Sequence, residues 1–355
     1  MSLEALLQRG VDEQVYPLAR LEVFHRGTHV VSLGNADPHC VFDLASITKV
    51  MSVTALVLDA GLPVDAPLTQ FLPHAAAKAT LGDLLFHRSG LPAFQPYFER
   101  ELLEHPELFE RAPPELRAAV RRSVLERVAA TPQLNPVGAQ SVYSDLGFIL
   151  LGAVLEAATK TPLDRLFSDR VAKPLELGAG YRRVSASPAL PAIFARTGQT
   201  RPREPAPGQE GVWKVSERPT QLCEVDDDNA WVLDGVSGHA GLFGTALDVA
   251  TFGQAMLERR WAPPFPWGRD HTPGSTRALG FDTPSAEGAS CGQRFGKGGA
   301  IGHLGFTGTS LWIDLERHLV IAFLTNRVAL GRANIRIRAF RPQVHDAVLD
   351  ALKLE

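Results

Sequence analysis

The stretch "DLASITKVMSVTALVL", residues 43–58, sets a single lysine into an otherwise apolar helical run. Lys49 follows Ser46 by three positions, and residues three apart on a helix lie on the same face. A serine in the first turn can therefore meet a lysine one turn on. The helix N-terminus adds partial positive charge and free N–H groups, which suit an oxyanion. Burial disfavours the charged form of lysine, and a neutral lysine can serve as base toward a serine hydroxyl. The plainer alternative is a serine N-cap with a lysine that snorkels to the surface, which for an arbitrary Ser-x-x-Lys holds about nine times in ten. Here Ser46 alone among the serines has lysine at +3, and it begins the most apolar helix of the chain.

Outward from this helix, residues 3–16 read as amphipathic helix, and "ARLEVFHRGTHVVSLGNA" as two strands around a turn. The serine–lysine helix runs over about 46–60 and ends at Gly61 and Pro63. "TLGDLLFH", residues 80–87, is a short helix with Thr80 as cap and Asp83 three positions later. Helical patterns follow over about 98–130 and 145–160. Residues 198–220 form a long Pro- and Gly-rich loop, of a kind often functional. "GTALDVATFGQAML" is a helix capped by Thr245. "FTGTSLWIDLERHLVIAFLTNRV" reads as a hairpin, and a helix over about 341–353 closes the chain. The fold class is α/β (α+β): an antiparallel sheet built from both termini and flanked by helices, with a mainly helical region inserted. The expected division is 1–80 with 240–355 as the sheet domain and 81–239 as the helical one.

A lysine base needs a partner to relay protons. Of four tyrosines, only Tyr143, in "VYSDLGFILLG", has a short acid or amide at +2, Asp145. It precedes an apolar helix, so its hydroxyl can project into a cleft. A tyrosine packed at a helix start, with Asp145 capping, is the competing reading. A third element would be a cation two residues before a glycine on a strand lining the site. Among lysines and histidines the pattern occurs at His25, His239, Lys297 and His303. Context favours His303 with Gly305, because "GHLGFTGTSLWID" runs straight into the hairpin and glycine lets a substrate approach the backbone. The N–H of Phe306 would then join that of Ser46 as an oxyanion pair.

With these residues in place, the chain resembles the serine β-lactamase and penicillin-binding-protein family, and is most similar to its class C β-lactamase-like branch of esterases and D-amino-acid peptidases. Ser46 and Lys49 match the motif S-x-x-K, Tyr143 with Asp145 matches Y-x-N with Asp for Asn, and His303 with Gly305 matches H-x-G. "LLFHRSGLP", "DDDNAWVLDGVSGHAGLF" and "GFTGTSLWID" extend the likeness over most of the chain. The resemblance implies a β-lactamase/transpeptidase-like fold. It implies Ser46 as acyl-accepting nucleophile, with Lys49 and Tyr143 sharing its proton, and Asp145 touching Lys49 and the substrate amide. It also brings Asp227, Asn229 and His239 into the cleft as substrate-binding candidates, against plainer readings as an acidic turn and a structural histidine. Two departures stand out. Asp145 places a negative charge where the family often has an amide, which favours charged Lys49 and leaves Tyr143 as the working base. Leu304 replaces a hydroxyl residue that many members use for a substrate carboxylate. Both favour an ester or amide substrate, such as a cell-wall-derived D-amino-acid or muramyl peptide. The alternatives are a true β-lactamase, a D-alanyl-D-alanine carboxypeptidase, or a non-catalytic sensor or binding protein that keeps the fold.

Composition agrees with an ordinary soluble globular protein. The chain has 355 residues, 45% hydrophobic and 21% charged, with a formal net charge of −3. Such a balance gives no sign of nucleic acid or membrane-surface partners. No run reaches ~18 apolar residues, so no membrane span is expected. The N-terminal segment does not read as a signal peptide, and a cytoplasmic location is the expectation, with a missing native leader as the exception. Cys40, Cys223 and Cys291 are too scattered for a zinc site or disulfide framework. No cofactor or metal is expected. "GQRFGKGG" falls short of a P-loop, and H-E-x-x-H and G-x-S-x-G are absent. The expected partner is a small-molecule or peptide substrate.

Overall fold

The computed structural model describes residues 1–109, 112–186, 190–197, 223–258, 260, 268–295 and 299–354. The expected long loop at 198–220 and the Lys297 motif lie outside them. The first elements are helix α1 (Leu3–Asp12) and strands β1 (Ala19–His25), β2 (Thr28–Gly34) and β3 (Phe42–Asp43). The helical region carries α2 (Ala55–Asp59), α3 (Leu81–Leu85), α4 (Tyr97–Glu104), α5 (Pro114–Ala129), α6 (Asp145–Thr159) and α7 (Leu163–Phe167). After it come β4 (Gly180–Tyr181), α8 (Asp228–Val232), β5 (Leu242–Gly244) and α9 (Ala246–Leu257). The chain closes with β6 (Arg277–Ala278), β7 (Phe281–Asp282), β8 (Ala300–Leu304), β9 (Ser310–Asp314), β10 (Leu319–Thr325) and α10 (Ile337–Ala351).

Seven strands form one antiparallel sheet in the order β2-β1-β10-β9-β8-β7-β6. The two chain ends thus meet where β1 pairs with β10. Strand β10 is buried on both faces, and its alternation sorts its residues. Leu319, Ile321 and Phe323 join α1 and α10 in one apolar cluster, whereas Val320, Ala322 and Leu324 join α9 and the helical region in the other. A small sheet in the order β3-β5-β4 lies beside the serine–lysine helix.

Local rules account for most boundaries. Thr80 with Asp83 and Thr245 with Asp248 form full capping boxes. Arg26 and Gly27, both at positive φ, make the two-residue turn between β1 and β2. Three expectations need correction. The run at 46–60 is not one α-helix: Lys49–Thr54 is a π-helix that passes into α2, and Thr54 Oγ1 donates to the Lys49 carbonyl at 3.1 Å. The last helix begins at Ile337 rather than about 341 and carries Pro342 inside it. The basic cluster "RIRAFR", residues 336–341, reads from sequence as a solvated face, but only Arg336 and Arg338 are exposed: Arg341 is buried and reaches the Thr309 carbonyl. No single described helix is long and apolar enough to cross a membrane.

Helix α9 approaches the sheet through Gly253, where an added Cβ would lie 2.5 Å from Val320 Cγ1 and 2.9 Å from Leu311 Cδ1. Gly253→Val should therefore overpack this contact, destabilising the fold by about 1–3 kcal/mol. Urea unfolding should show a lower midpoint at unchanged slope. An unchanged midpoint would contradict this packing.

Candidate active site

The serine turn is set by the residues just before it. Ala45 has φ +47°, a left-handed conformation that a residue with a Cβ rarely adopts. Its N–H is held by Asp43 Oδ1 at 2.8 Å. Ser46 then leads the helix with its side chain partly open to a cavity of about 250 Å³. Lys49 is completely buried, and its ammonium meets three acceptors: Asp145 Oδ1 at 2.7 Å, Ser46 Oγ at 3.0 Å and the His239 carbonyl at 3.2 Å. A lysine ammonium has three N–H donors, so all three are placed. Burial alone would strip this proton, but the Asp145 carboxylate and then Tyr143 outweigh it, and the Lys49 pKa stands above its ordinary value.

Tyr143 lies in the extended segment before α6, whose N-cap is Ser144 rather than Asp145. Its hydroxyl lies close to Lys49 and Ser46, and both act to lower its pKa. Burial raises its pKa above 10, and the Lys49 charge draws it back only in part. The resting groups are therefore a cationic lysine, a carboxylate at Asp145 and a neutral phenol. The Lys49 ammonium also stands over the Tyr143 ring at 4.8 Å, and the Arg277 guanidinium at 5.1 Å.

The segment after β8 supplies the facing wall. The N–H groups of Ser46 and Phe306 donate to no described acceptor, and both residues line the cavity. Thr307 Oγ1 donates to the Asp43 carbonyl at 2.8 Å and Thr309 Oγ1 to the Leu44 carbonyl at 3.1 Å. These bonds pin the Phe306 turn to the serine turn. A Cβ at Gly305 would collide with Thr309 Oγ1 and the Leu44 carbonyl, so glycine is needed for the approach. The Phe306 ring, 40% exposed, lies under the guanidinium groups of Arg327 and Arg332 at 4.5 and 4.8 Å.

The other expected residues divide. His239 lines the cavity, and its ring bridges Ser237 Oγ at 2.8 Å and Asp227 Oδ1 at 2.9 Å. Asp227 also lines the cavity; burial would raise its pKa, but His239 and the Ala230 N–H hold it well below the ordinary range. Asn229 does not line it: its amide donates to Gln95 O and accepts from Phe98 N–H, tying α8 to α4. His303 is buried behind Tyr143, with ring centroids 5.9 Å apart and Nδ1 on the Leu304 carbonyl. Burial, then the charges of Lys49 and Arg277, press its pKa far down, so it is a neutral imidazole. Leu304 turns to the opposite face of the sheet and packs in the α1–α10 cluster. Cys40 is buried, with its thiol pushed up to about 11 by burial, which leaves no nucleophile there.

Sequence reasoning passed over Asp43, Phe94, Asp226 and Arg332, all of which line the cavity. Asp43 Oδ2 accepts the Asp226 N–H at 2.8 Å, and Arg332 reaches Asp226 at 3.3 Å and Asp228 at 3.5 Å. The partners are more than a hundred residues apart in the chain, and no local spacing signals them. Only Asp43 had a local cue, its position three residues before the serine. Among the described residues, no group of three or more His, Cys, Asp or Glu side chains is placed to hold a metal.

Burial and the Asp226 charge push the Asp43 pKa up to about 7, against two backbone N–H bonds that oppose the shift. The fold thus favours the protonated acid relative to the unfolded chain, whose value is 3.8. The stabilisation this gives is complete below the unfolded value and is lost as pH rises through the folded one. Asp43→Asn does not titrate. The unfolding free energy of the native protein relative to Asp43→Asn should therefore fall between pH about 4 and 7. Urea unfolding series at several pH values measure it, and a difference that grows with pH would contradict the assignment.

Comparison with known proteins agrees with this geometry. The family model described as "Beta-lactamase" matches residues 3–343. The N-acetylmuramyl-L-alanine amidase of Bacillus subtilis (strain 168) is 30% identical over 331 residues, covering 81% of this chain and 68% of the amidase. Among solved structures, a penicillin-binding protein homologue from Caulobacter crescentus superposes with a TM-score of 0.67 at 18% identity, covering 98% of this chain and 96% of the homologue. EstCE1, a hydrolase with promiscuous acyltransferase activity, gives 0.63 at 20% identity, covering 96% and 97%. The fold is that of the β-lactamases and transpeptidases, and the chain belongs to the β-lactamase family of serine hydrolases.

Proposed function

We propose that the chain hydrolyses an ester or amide through an acyl-enzyme on Ser46, with a cell-wall-derived muramyl or D-amino-acid peptide as the substrate class. One observation carries the reading. A buried lysine ammonium with three fixed acceptors sits 3.0 Å from the oxygen of an accessible serine and 4.8 Å from the ring of a tyrosine whose hydroxyl is influenced by both. A pure binding protein needs none of this. The amide side of the reading rests on the amidase relative, at 30% identity.

In the acylation step the substrate carbonyl oxygen takes the N–H groups of Ser46 and Phe306 as its charge develops. Ser46 Oγ forms the new bond to the carbonyl carbon. Its proton moves to the Tyr143 oxygen as Tyr143 passes its own proton to the leaving nitrogen or oxygen, so the phenol is neutral before and after. Lys49 stays charged and stabilises the phenolate character in transit. Water then attacks the acyl-enzyme by the same relay in reverse and restores Ser46. Asp145 acts by keeping Lys49 protonated.

The wall disfavours a carboxylate close to the scissile bond, because Arg332, the cation that lines it, is already paired with Asp226 and Asp228. Asp43, Asp145, Asp226 and Asp227 line the cavity, and Leu304 faces the other side of the sheet. We expect hydrolysis of p-nitrophenyl esters and at most weak turnover of a chromogenic cephalosporin. Vigorous cephalosporin turnover would overturn the second part.

Incubation with a fluorophosphonate should add one mass increment, located on Ser46 by peptide mapping. Ser46→Ala should abolish the adduct and lower kcat by roughly 10³-fold or more; Lys49→Ala should lower it by roughly 10²–10⁴-fold. Absence of any adduct together with no turnover of activated esters would instead support the sensor reading. Asp145→Asn removes the charge that raises the Lys49 pKa. The basic limb of its pH–rate profile should accordingly move to lower pH as Lys49 loses its proton sooner. A limb that stays in place would remove Lys49 from the titration.

A further inference from the structure

His87 is buried beside the site, yet it does not line the cavity and has no part in the chemistry above. It follows α3 at φ +55°, left-handed for a residue with a Cβ. Such a conformation is strained and persists where the surroundings fix it. Its contacts show what fixes it. The His87 carbonyl accepts the Val142 N–H at 2.8 Å, and the His87 ring Nδ1 accepts the Ser144 N–H at 3.0 Å. The N–H groups of the residues before and after Tyr143 are therefore held by the same residue. The ring also packs on Tyr143 and Phe148, with centroids 4.7 and 5.1 Å apart.

The tautomer follows from the donor. A backbone N–H must find a lone pair, so Nδ1 is unprotonated and the proton sits on Nε2. Nε2 has no hydrogen-bond partner among the described residues. The His87 N–H closes α3 on the Leu84 carbonyl, whereas its carbonyl and its ring acceptor are both spent on the neighbours of Tyr143, Val142 and Ser144. Burial, then the charges of Arg277 and Lys49, keep the imidazole neutral, which preserves the acceptor, and His303 is the other titratable group facing it.

We propose that His87 is a positioning residue that holds the Tyr143 hydroxyl in place between Ser46 and Lys49, and that it does so through its Nδ1 acceptor rather than its bulk. The assignment rests on the reading of Tyr143 as proton relay. A displaced relay leaves substrate binding intact and slows the bond-making step.

The test compares His87→Leu, His87→Asn and Tyr143→Phe with the native chain on a p-nitrophenyl ester. Leucine fills the space without an acceptor, whereas asparagine keeps an acceptor, Oδ1, on the same Cγ. We expect His87→Leu to lower kcat by about 10²-fold with KM within about threefold, the size of effect a small misplacement produces. His87→Asn should recover kcat to within about tenfold of native. Equal losses in His87→Leu and His87→Asn, or full kcat in His87→Leu, would overturn the proposal. Should His87→Leu fail to fold, His87→Asn decides: a folded variant that still loses about 10²-fold in kcat overturns it. Tyr143→Phe separates the two levels. If it is fully active, the relay reading falls and this proposal with it; if it is inactive while His87→Leu is not, only this proposal falls.

Discussion

The buried ammonium of Lys49 is the constraint on which the rest of the site depends. A charge taken out of water must be paired and hydrogen-bonded, because removing one partner leaves it uncompensated. Its three acceptors come from three separate parts of the chain: Ser46 in its own turn, Asp145 at the start of α6, and the carbonyl of His239 ahead of β5. The lysine therefore docks the helical region and the small sheet against the serine turn. The π-helical widening at Lys49–Thr54 lies at this crossing, in keeping with the tendency of such segments to appear at functional sites.

The same arrangement decides how charge is distributed. Around the Tyr143 ring stand Lys49 and Arg277 as cations, with His87 and His303 as buried imidazoles. Burial, helped by the two cations, keeps both imidazoles neutral. They can therefore shape the pocket around Tyr143 without adding charge that titrates near neutral pH. Asp145 favours the lysine as a cation, and in the proposed mechanism proton movement then falls to the phenol. That reverses the first expectation drawn from an apolar helix: burial does favour the neutral amine, but a carboxylate at 2.7 Å outweighs it.

What the sequence reveals tracks how local each signal is. Ser46 and Lys49 are one turn apart, Tyr143 and Asp145 adjoin a strongly apolar helix, and the capping boxes at Thr80 and Thr245 span four residues; each is legible in its own window. The strand-rich ends and helical middle are legible from periodicity. The acidic wall is not, because Asp43, Asp226 and Arg332 become neighbours only through tertiary structure. The direction of Leu304 depends on strand register, since adjacent strand residues face opposite sides. His303 faces Tyr143 and Leu304 therefore faces the other core. The split of the serine helix into π and α segments is likewise beyond composition, because it rests on the Thr54 hydroxyl and on what packs around it.

The register of the two candidate oxyanion donors rests on hydroxyl bonds that look merely structural. Ser46 and Phe306 belong to different turns, 260 positions apart. Thr307 and Thr309 bond consecutive carbonyls, those of Asp43 and Leu44, just before the strained Ala45. A slip of one turn against the other would have to break both. Asp43 adds a third tie on the opposite side, through the N–H groups of Ala45 and Asp226. The serine turn is thus held from the strand side by threonine hydroxyls and from the acidic wall by one carboxylate. An oxyanion site works only if its donors need no reorganisation as charge develops. The strain at Ala45 is tolerable because these three ties hold that turn.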